Sequence, residues 1–146
     1  MGVEKVNRPL LGASGFLIPV ETVTLSSALQ TLAGEGVSLV TYGTSGVAND
    51  AQIPSPHYAG QQMTVVLDNN TTSLEASFYT HSTGQTFWGT TFNTITINST
   101  ANETSAFSLI AATTARWAVV SLTANLSTAA ASVDWALSAS TGSTGQ

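Results

Sequence analysis

The chain has 146 residues, no cysteine, 8% charged residues and a net charge of −5, with Lys and Arg together numbering three. This length predicts one domain with a core of its own, and the missing cysteines exclude disulfides and thiolate chemistry. So few cations exclude nucleic acid and an anionic membrane surface as partners, and no apolar run nears the ~20 residues of a membrane span.

Residues 1–20 are predicted to form an extended N-terminal arm. Pro9, Gly12, Gly15 and Pro19 interrupt any period, yet Leu10, Leu11, Phe16, Leu17, Ile18 and Val20 are strongly apolar. Such a segment needs cover, either from its own domain or by adding a strand to a neighbour's sheet edge. Lys5 and Arg8 lie in the same stretch and suit an acidic surface. With Leu10, Leu11, Phe16, Leu17 and Ile18 they make up the candidate partner-binding set. The start Met-Gly-Val-Glu-Lys lacks the apolar core of a signal peptide, so synthesis and folding in a cytoplasm are expected.

Next, Thr22-Val-Thr-Leu25 alternates as a strand does. Residues 26–32 read as a turn or a single helical turn, because Leu25, Ala28, Leu29 and Leu32 also fit a helical face. Val37-Ser-Leu-Val-Thr-Tyr42 is a clearer strand. Residues 43–56 collect Gly, Ser, Asn, Asp and two prolines, and are predicted to be a long surface loop that makes contacts.

From Gly60 onward, short runs rich in β-branched and aromatic residues recur at 63–67, 74–79, 92–97, 107–110 and 117–122. Turn residues separate them, at Asp68-Asn-Asn70 and Ser82-Thr-Gly84, and a hairpin is predicted across Thr113-Thr-Ala-Arg116. Residues 98–105 read as polar. Val133, Trp135 and Leu137 supply a last alternating strand, and residues 139–146 a flexible tail. Strand spacing with turns between predicts an all-β fold: an antiparallel β-sandwich or jelly-roll-like domain over residues 21–138.

Few residues could carry chemistry. His57 and His81 are the only imidazoles, and no Gly-x-Ser-x-Gly elbow accompanies them. Asp50, Asp68, Glu75, Glu103 and Asp134 could pair as glycosidase acids, but no two form a recognisable local pattern and four of them read as solvated turn residues, with Glu75 on the wetter face of the 74–80 strand. No spacing suits zinc or a calcium loop, and the Asp68 turn is better explained as an Asx-turn. No metal, cofactor or catalytic residue is therefore expected. The aromatics are more telling. Phe87 and Trp88 are adjacent, so one is core and the other faces an interface or stacks on a ligand. Trp88 and Tyr58 are the candidates for that role, while Trp117 and Trp135 fit the core.

Thr22-Val-Thr-Leu25, Gly36-Val-Ser-Leu-Val-Thr-Tyr42, Ile53-Pro-Ser-Pro56 and Ala59-Gly-Gln-Gln-Met-Thr-Val-Val-Leu67 follow in an order that resembles small virion structural proteins of tailed bacteriophages. Phe107-Ser-Leu-Ile-Ala-Ala-Thr-Thr-Ala-Arg-Trp-Ala-Val-Val-Ser121 is similar to the strand–turn–Arg-Trp–strand ending of the same proteins, so the likeness covers roughly residues 22–122. The resemblance implies a capsid decoration (cement) protein, non-enzymatic and usually a trimer, on the outside of a virion. Its partners would be the major capsid protein and further copies of itself. The alternative is a tail-fibre or receptor- or carbohydrate-binding β-module.

Overall fold

The computed structural model describes residues 18–43, 49–69, 74–81, 85–99, 103–123 and 135–138. They hold β1 (Val20–Leu25), β2 (Gln30–Thr31), β3 (Gly36–Tyr42), β4 (Asp50–Ile53), β5 (Gln62–Asn69), β6 (Leu74–Thr80), β7 (Thr94–Ser99), β8 (Glu103–Ala111), β9 (Trp117–Thr123) and β10 (Trp135–Ser138). None of the described residues is helical. Where the sequence allows one helical turn, a bend at Ser27 and Ala28 leads into β2. Ser26 Oγ accepts from the Ala28 amide at 3.3 Å, and Gln30 Nε2 closes the bend on the Ala28 carbonyl at 3.1 Å.

The strands form two five-stranded sheets, the first in the order β1-β3-β5-β8-β9 and the second in the order β10-β7-β6-β4-β2. From β1 to β6 the chain changes sheet at every strand. Each strand thus reaches its neighbour only after a pass through the other sheet, and it arrives running the same way. That is why β1–β3, β3–β5, β2–β4 and β4–β6 are parallel. Parallel neighbours need a crossover between them, commonly a helix; here the crossover is a strand of the opposite sheet. After β6 every new pairing is antiparallel: β6–β7 and β8–β9 join strands that follow one another within a sheet, and β5–β8 and β7–β10 join strands separated by passes through the other sheet. The expected antiparallel arrangement is therefore corrected to two mixed sheets. The turns alone could not reveal this, because Gly34 and Gly36 serve a hairpin and an arch between sheets equally well.

Alternation within the strands builds the core. Val40 and Tyr42 of β3, Met63, Val65 and Leu67 of β5, and Phe107 and Leu109 of β8 point inward from the first sheet. Ala51 and Ile53 of β4, Ala76 and Phe78 of β6, and Ile95 and Ile97 of β7 meet them from the second. The two sets join in one cluster, in which the Phe78 and Phe107 rings pack edge to face with centroids 5.0 Å apart. Trp117 closes one end, buried as expected, with its indole N–H donating to the Pro54 carbonyl at 2.7 Å.

Three local expectations are corrected. Residues 43–56 contain β4, whose Ala51 and Ile53 are wholly buried, so the stretch is not simply a surface loop. Its short Asp-Ala-Gln-Ile alternation is hidden by the Gly and Pro residues on either side. Asp68 and Asn69 lie in β5 rather than in an Asx-turn, and Asn69 is buried because its side chain points to the inner face. Phe92 precedes β7 instead of opening it; its carbonyl accepts from the Phe87 amide at 2.8 Å. The hairpin across residues 113–116 forms as expected, with Thr113 Oγ1 accepting from the Ala115 and Arg116 amides, each at 3.1 Å.

Candidate interaction surfaces

The two outward faces differ sharply in chemistry. In the first sheet, the register places Val20, Val37, Thr64 and Ser108 in one row and Thr22, Leu39, Val66 and Ala106 in the next. Val20, Leu39 and, on β9, Val120 are exposed large apolar side chains. Hydroxyls fill the space between them, and Thr64 and Ser108 satisfy each other across the β5–β8 ladder at 2.9 Å. Among the described side chains the only charge on this face is Asp68, which accepts weakly from Thr104 at 3.5 Å. A face this apolar is unusual on a protein surrounded only by water.

A groove of about 510 Å³ opens where β1, β3 and β5 begin, with Ile18, Pro19, Val37, Tyr58 and Met63 in its walls and the Glu35 carboxylate at its margin. A smaller hollow continues it across Thr64 and Ser108 towards Ile110 and Val120. Ile18 is thus both the last residue of the predicted arm before Pro19 and part of the groove wall. The first strand starts at Val20, and the Pro19 carbonyl already accepts from the Val37 amide at 2.8 Å. Of the candidate partner-binding set, Lys5, Arg8, Leu10, Leu11, Phe16 and Leu17 lie outside the described residues; Ile18 is described and exposed.

On the second sheet the outward side chains are polar and acidic. Asp50 and Gln52 of β4 stand beside Ser77 and Tyr79 of β6, with Glu75 on the same face. Burial raises the Asp50 carboxyl above the ordinary carboxylate value, and the Glu75 charge raises it further. Burial also raises the Tyr79 phenol, followed by Asp50 and more weakly by Glu75, against a hydrogen bond with Ser77 that lowers it. Asp50 sits on a strand and not in the loop expected for it, while Glu75 lies on the strand read for it. The reason is that the sheet leaves one of every two positions facing water, and a carboxylate is tolerated there.

A raised carboxyl pKa means that the folded chain holds this proton more tightly than the unfolded chain does. Asp50 therefore costs no stability below the unfolded value, and the cost develops as pH rises through the folded value. Asp50→Asn is expected to raise the melting temperature at pH 7 by a small amount, about 0.5 kcal/mol or less in stability at a surface site. The gain should disappear below pH ~3.8, where both forms of the wild-type chain are protonated. Melts of both proteins across that range check it, and a gain that persists at low pH would contradict the electrostatic cause.

A third surface lies at one end of the molecule, where three connections meet. The Gly60 amide donates to the Ala111 carbonyl, and the Ala111 amide donates to the Gln61 carbonyl, each at 2.8 Å. Ala111 pairs with Trp117, whose own carbonyl accepts from the Trp88 amide at 2.7 Å. Tyr58 and Trp88 are both exposed, Tyr58 in the groove beside β1 and β3 and Trp88 alongside β9. Phe87 is wholly buried while Trp88 is 53% exposed, as the adjacent pair predicted. A turn rather than a strand divides them: the Thr90 amide donates to the Phe87 carbonyl at 3.1 Å, and Gly89 takes a φ of +74°.

Phe92, exposed in the same turn, was missed by strand periodicity, as were Val20, Leu39 and Val120 as surface residues. Consecutive apolar pairs such as Leu39-Val40 and Val119-Val120 were the available sign, since a strand cannot bury both members on one face. Of the two histidines, His57 lies in the loop before β5 and His81 directly follows β6. The His57 amide donates to Gln61 Oε1 at 2.7 Å, and the His81 carbonyl accepts from Gln52 Nε2 at 3.1 Å. No group of three or more His, Cys, Asp or Glu suited to a metal ion occurs among the described residues. The sequence matches no protein-family model and no curated protein.

Proposed function

We propose that this chain is a non-enzymatic structural protein that works by packing a β-sandwich against partners. The observation that carries this reading is the outward face of the first sheet, apolar and hydroxyl-lined with Asp68 as its only charge among the described side chains. Burial of such a face is favourable by about 25 cal/mol per Å² of apolar area, and net repulsion between copies carrying −5 each is least where charge is absent. Asp50 and Glu75 stand on an open sheet face and line neither hollow of the first sheet, so a glycosidase-like cleft has no support. The parallel strand pairs favour a sandwich of two mixed sheets over a jelly roll, whose strands run antiparallel.

The sequence resemblance supplies the specific form: a decoration protein on the exterior of a tailed-phage capsid, trimeric, with residues 1–17 as the arm reaching the major capsid protein. Neither nucleic acid nor membrane is a partner in this reading. Light scattering on a sizing column tests the self-association, with three times the 15.0 kDa chain mass expected. Leu39→Lys or Val120→Lys should reduce it to the single-chain mass, and wild-type protein at the single-chain mass would count against an oligomeric role. Truncation to test the arm should end at Leu17 and not at Val20, because the Pro19 carbonyl belongs to the β1–β3 ladder.

A further inference from the structure

We propose that copies of this chain associate head to tail, with Val120 of one copy seated in the groove beside β1, β3 and β5 of the next. Such a contact rests on the packing role argued above, and adds the residues that meet and the symmetry that relates them.

Val120 is the most exposed large apolar side chain among the described residues, at 63%, and a bulge puts it there. In the β8–β9 ladder Ser108 pairs with Ser121 and Leu109 with Val119, which leaves Val120 without a partner strand residue. The extra residue lets Val119 and Leu122 both pack against the core and turns Val120 and Ser121 outward together. β9 is an edge of the first sheet, and a bulge there bends the strand and hinders a further strand from pairing alongside. Contact through this edge is therefore made by side chains, with Val120 foremost.

The groove lies towards the opposite edge of the same sheet and at the same level. One row of the register runs from Gly36 through Met63 and Leu109 to Val119, and the next from Val37 through Thr64 and Ser108 to Ser121. Val120 falls between these two rows, and Gly36, Val37, Met63 and Thr64 of the same rows line the groove. A rotation that brings β9 of one copy to β1 of the next shifts neither along the strand direction, so a ring closes only if knob and groove stand at one height. Here they do. Sheets meeting edge to edge in this way turn their outward faces, poor in charge, towards a common axis.

Charge favours a second copy as the occupant. β1, β3, β5 and β9 run in one direction, so their first residues share one end of the sheet. Glu35, exposed at the groove margin, directly precedes β3. Arg116, exposed and the only arginine or lysine among the described residues, directly precedes β9. The rotation that seats Val120 carries Arg116 to the end of the neighbour at which Glu35 stands. Opposite charges at the rim of an apolar contact steer association and fix its register.

The chain has no cysteine, which makes thiol cross-linking a clean test. Val20 and Val120 lie on the two edge strands of the five-stranded sheet, about 19 Å apart at the usual strand spacing, too far for a disulfide within one chain. From Val20→Cys/Val120→Cys under mild oxidation, covalent species of two and three chains are expected on a denaturing gel, and none from either single variant. Glu35→Arg and Arg116→Glu should each weaken self-association about tenfold at low salt, and the two combined should restore it. Circular dichroism and melting confirm that each variant is folded. An oligomer by light scattering that neither cross-links nor recovers in the combined charge exchange would overturn the head-to-tail contact and leave the packing role standing. A single-chain mass for the wild type would remove both. Cross-linking that stops at two chains would mean a face-to-face pair, and cross-linking only after removal of residues 1–17 would give the groove to the chain's own arm; either result overturns the ring.

Discussion

Phe107→Ala should destabilise the fold by about 3–5 kcal/mol, the range for removing a large aromatic from a packed core. The ring is buried on the inner side of β8 and meets Phe78 of β6 edge to face, at an interplanar angle of 68°. Because β8 belongs to the first sheet and β6 to the second, the substitution removes a contact between sheets, not one within a ladder. Domains of this size hold about 5–15 kcal/mol in all, so the variant should be marginal at room temperature. Urea unfolding followed by tryptophan fluorescence measures it. A double-mutant cycle with Phe78→Ala should return a coupling of about 0.5–1.5 kcal/mol from the ring geometry. A loss below 1 kcal/mol would mean that the sheets are not held together at this point.

Gly36→Ala is the second large effect, and it has two separable causes. Gly36 has a φ of +69°, and an added Cβ would stand 2.1 Å from the Pro19 carbonyl oxygen. The left-handed conformation alone costs a residue with a side chain about 1–3 kcal/mol. The clash adds to this by forcing Pro19 away and breaking the Val37–Pro19 bond with which the β1–β3 ladder begins. Other glycines calibrate the two causes. Gly60→Ala carries the positive φ with no neighbour within 4 Å, whereas Gly43→Ala meets the Leu25 carbonyl at 2.0 Å without a positive φ. The expected order of loss is Gly36 above both, with faster amide exchange at Val37 only in Gly36→Ala. Equal losses at Gly36 and Gly60 would show that Pro19 moves without cost.

Pro19 and Leu25 bound β1, and their carbonyls rest against Gly36 and Gly43, which bound β3. The edge strand is therefore seated at both ends by glycines that let the backbones touch. This matters for the packing surface, since Ile18 and Val20 line it or flank it from that edge.

Much of the fold was legible in the residues themselves. Runs such as Met63-Thr-Val-Val-Leu67 and Leu74-Glu-Ala-Ser-Phe-Tyr79 alternate clearly, and each became a strand. So did the hairpin around Thr113, because its turn chemistry is local. Strand β4 was not legible, since four residues between Gly and Pro look like loop until a neighbouring strand pairs with them. Within the candidate sites, Trp88 and Tyr58 stood out as aromatics with no core position to fill. Phe92 did not, because strand alternation through Ile95 and Ile97 gave it an apparent place.

By itself the sequence determined the all-β character, the inward-facing residues of most strands and the scarcity of charge, all properties of side chains taken one or two positions at a time. Only the tertiary structure decided how the strands pair. Parallel or antiparallel pairing depends on which sheet the chain enters after each turn, and that choice is settled by how the two apolar faces close on each other. The same closure sorted the surface into an apolar face on the first sheet and an acidic face on the second.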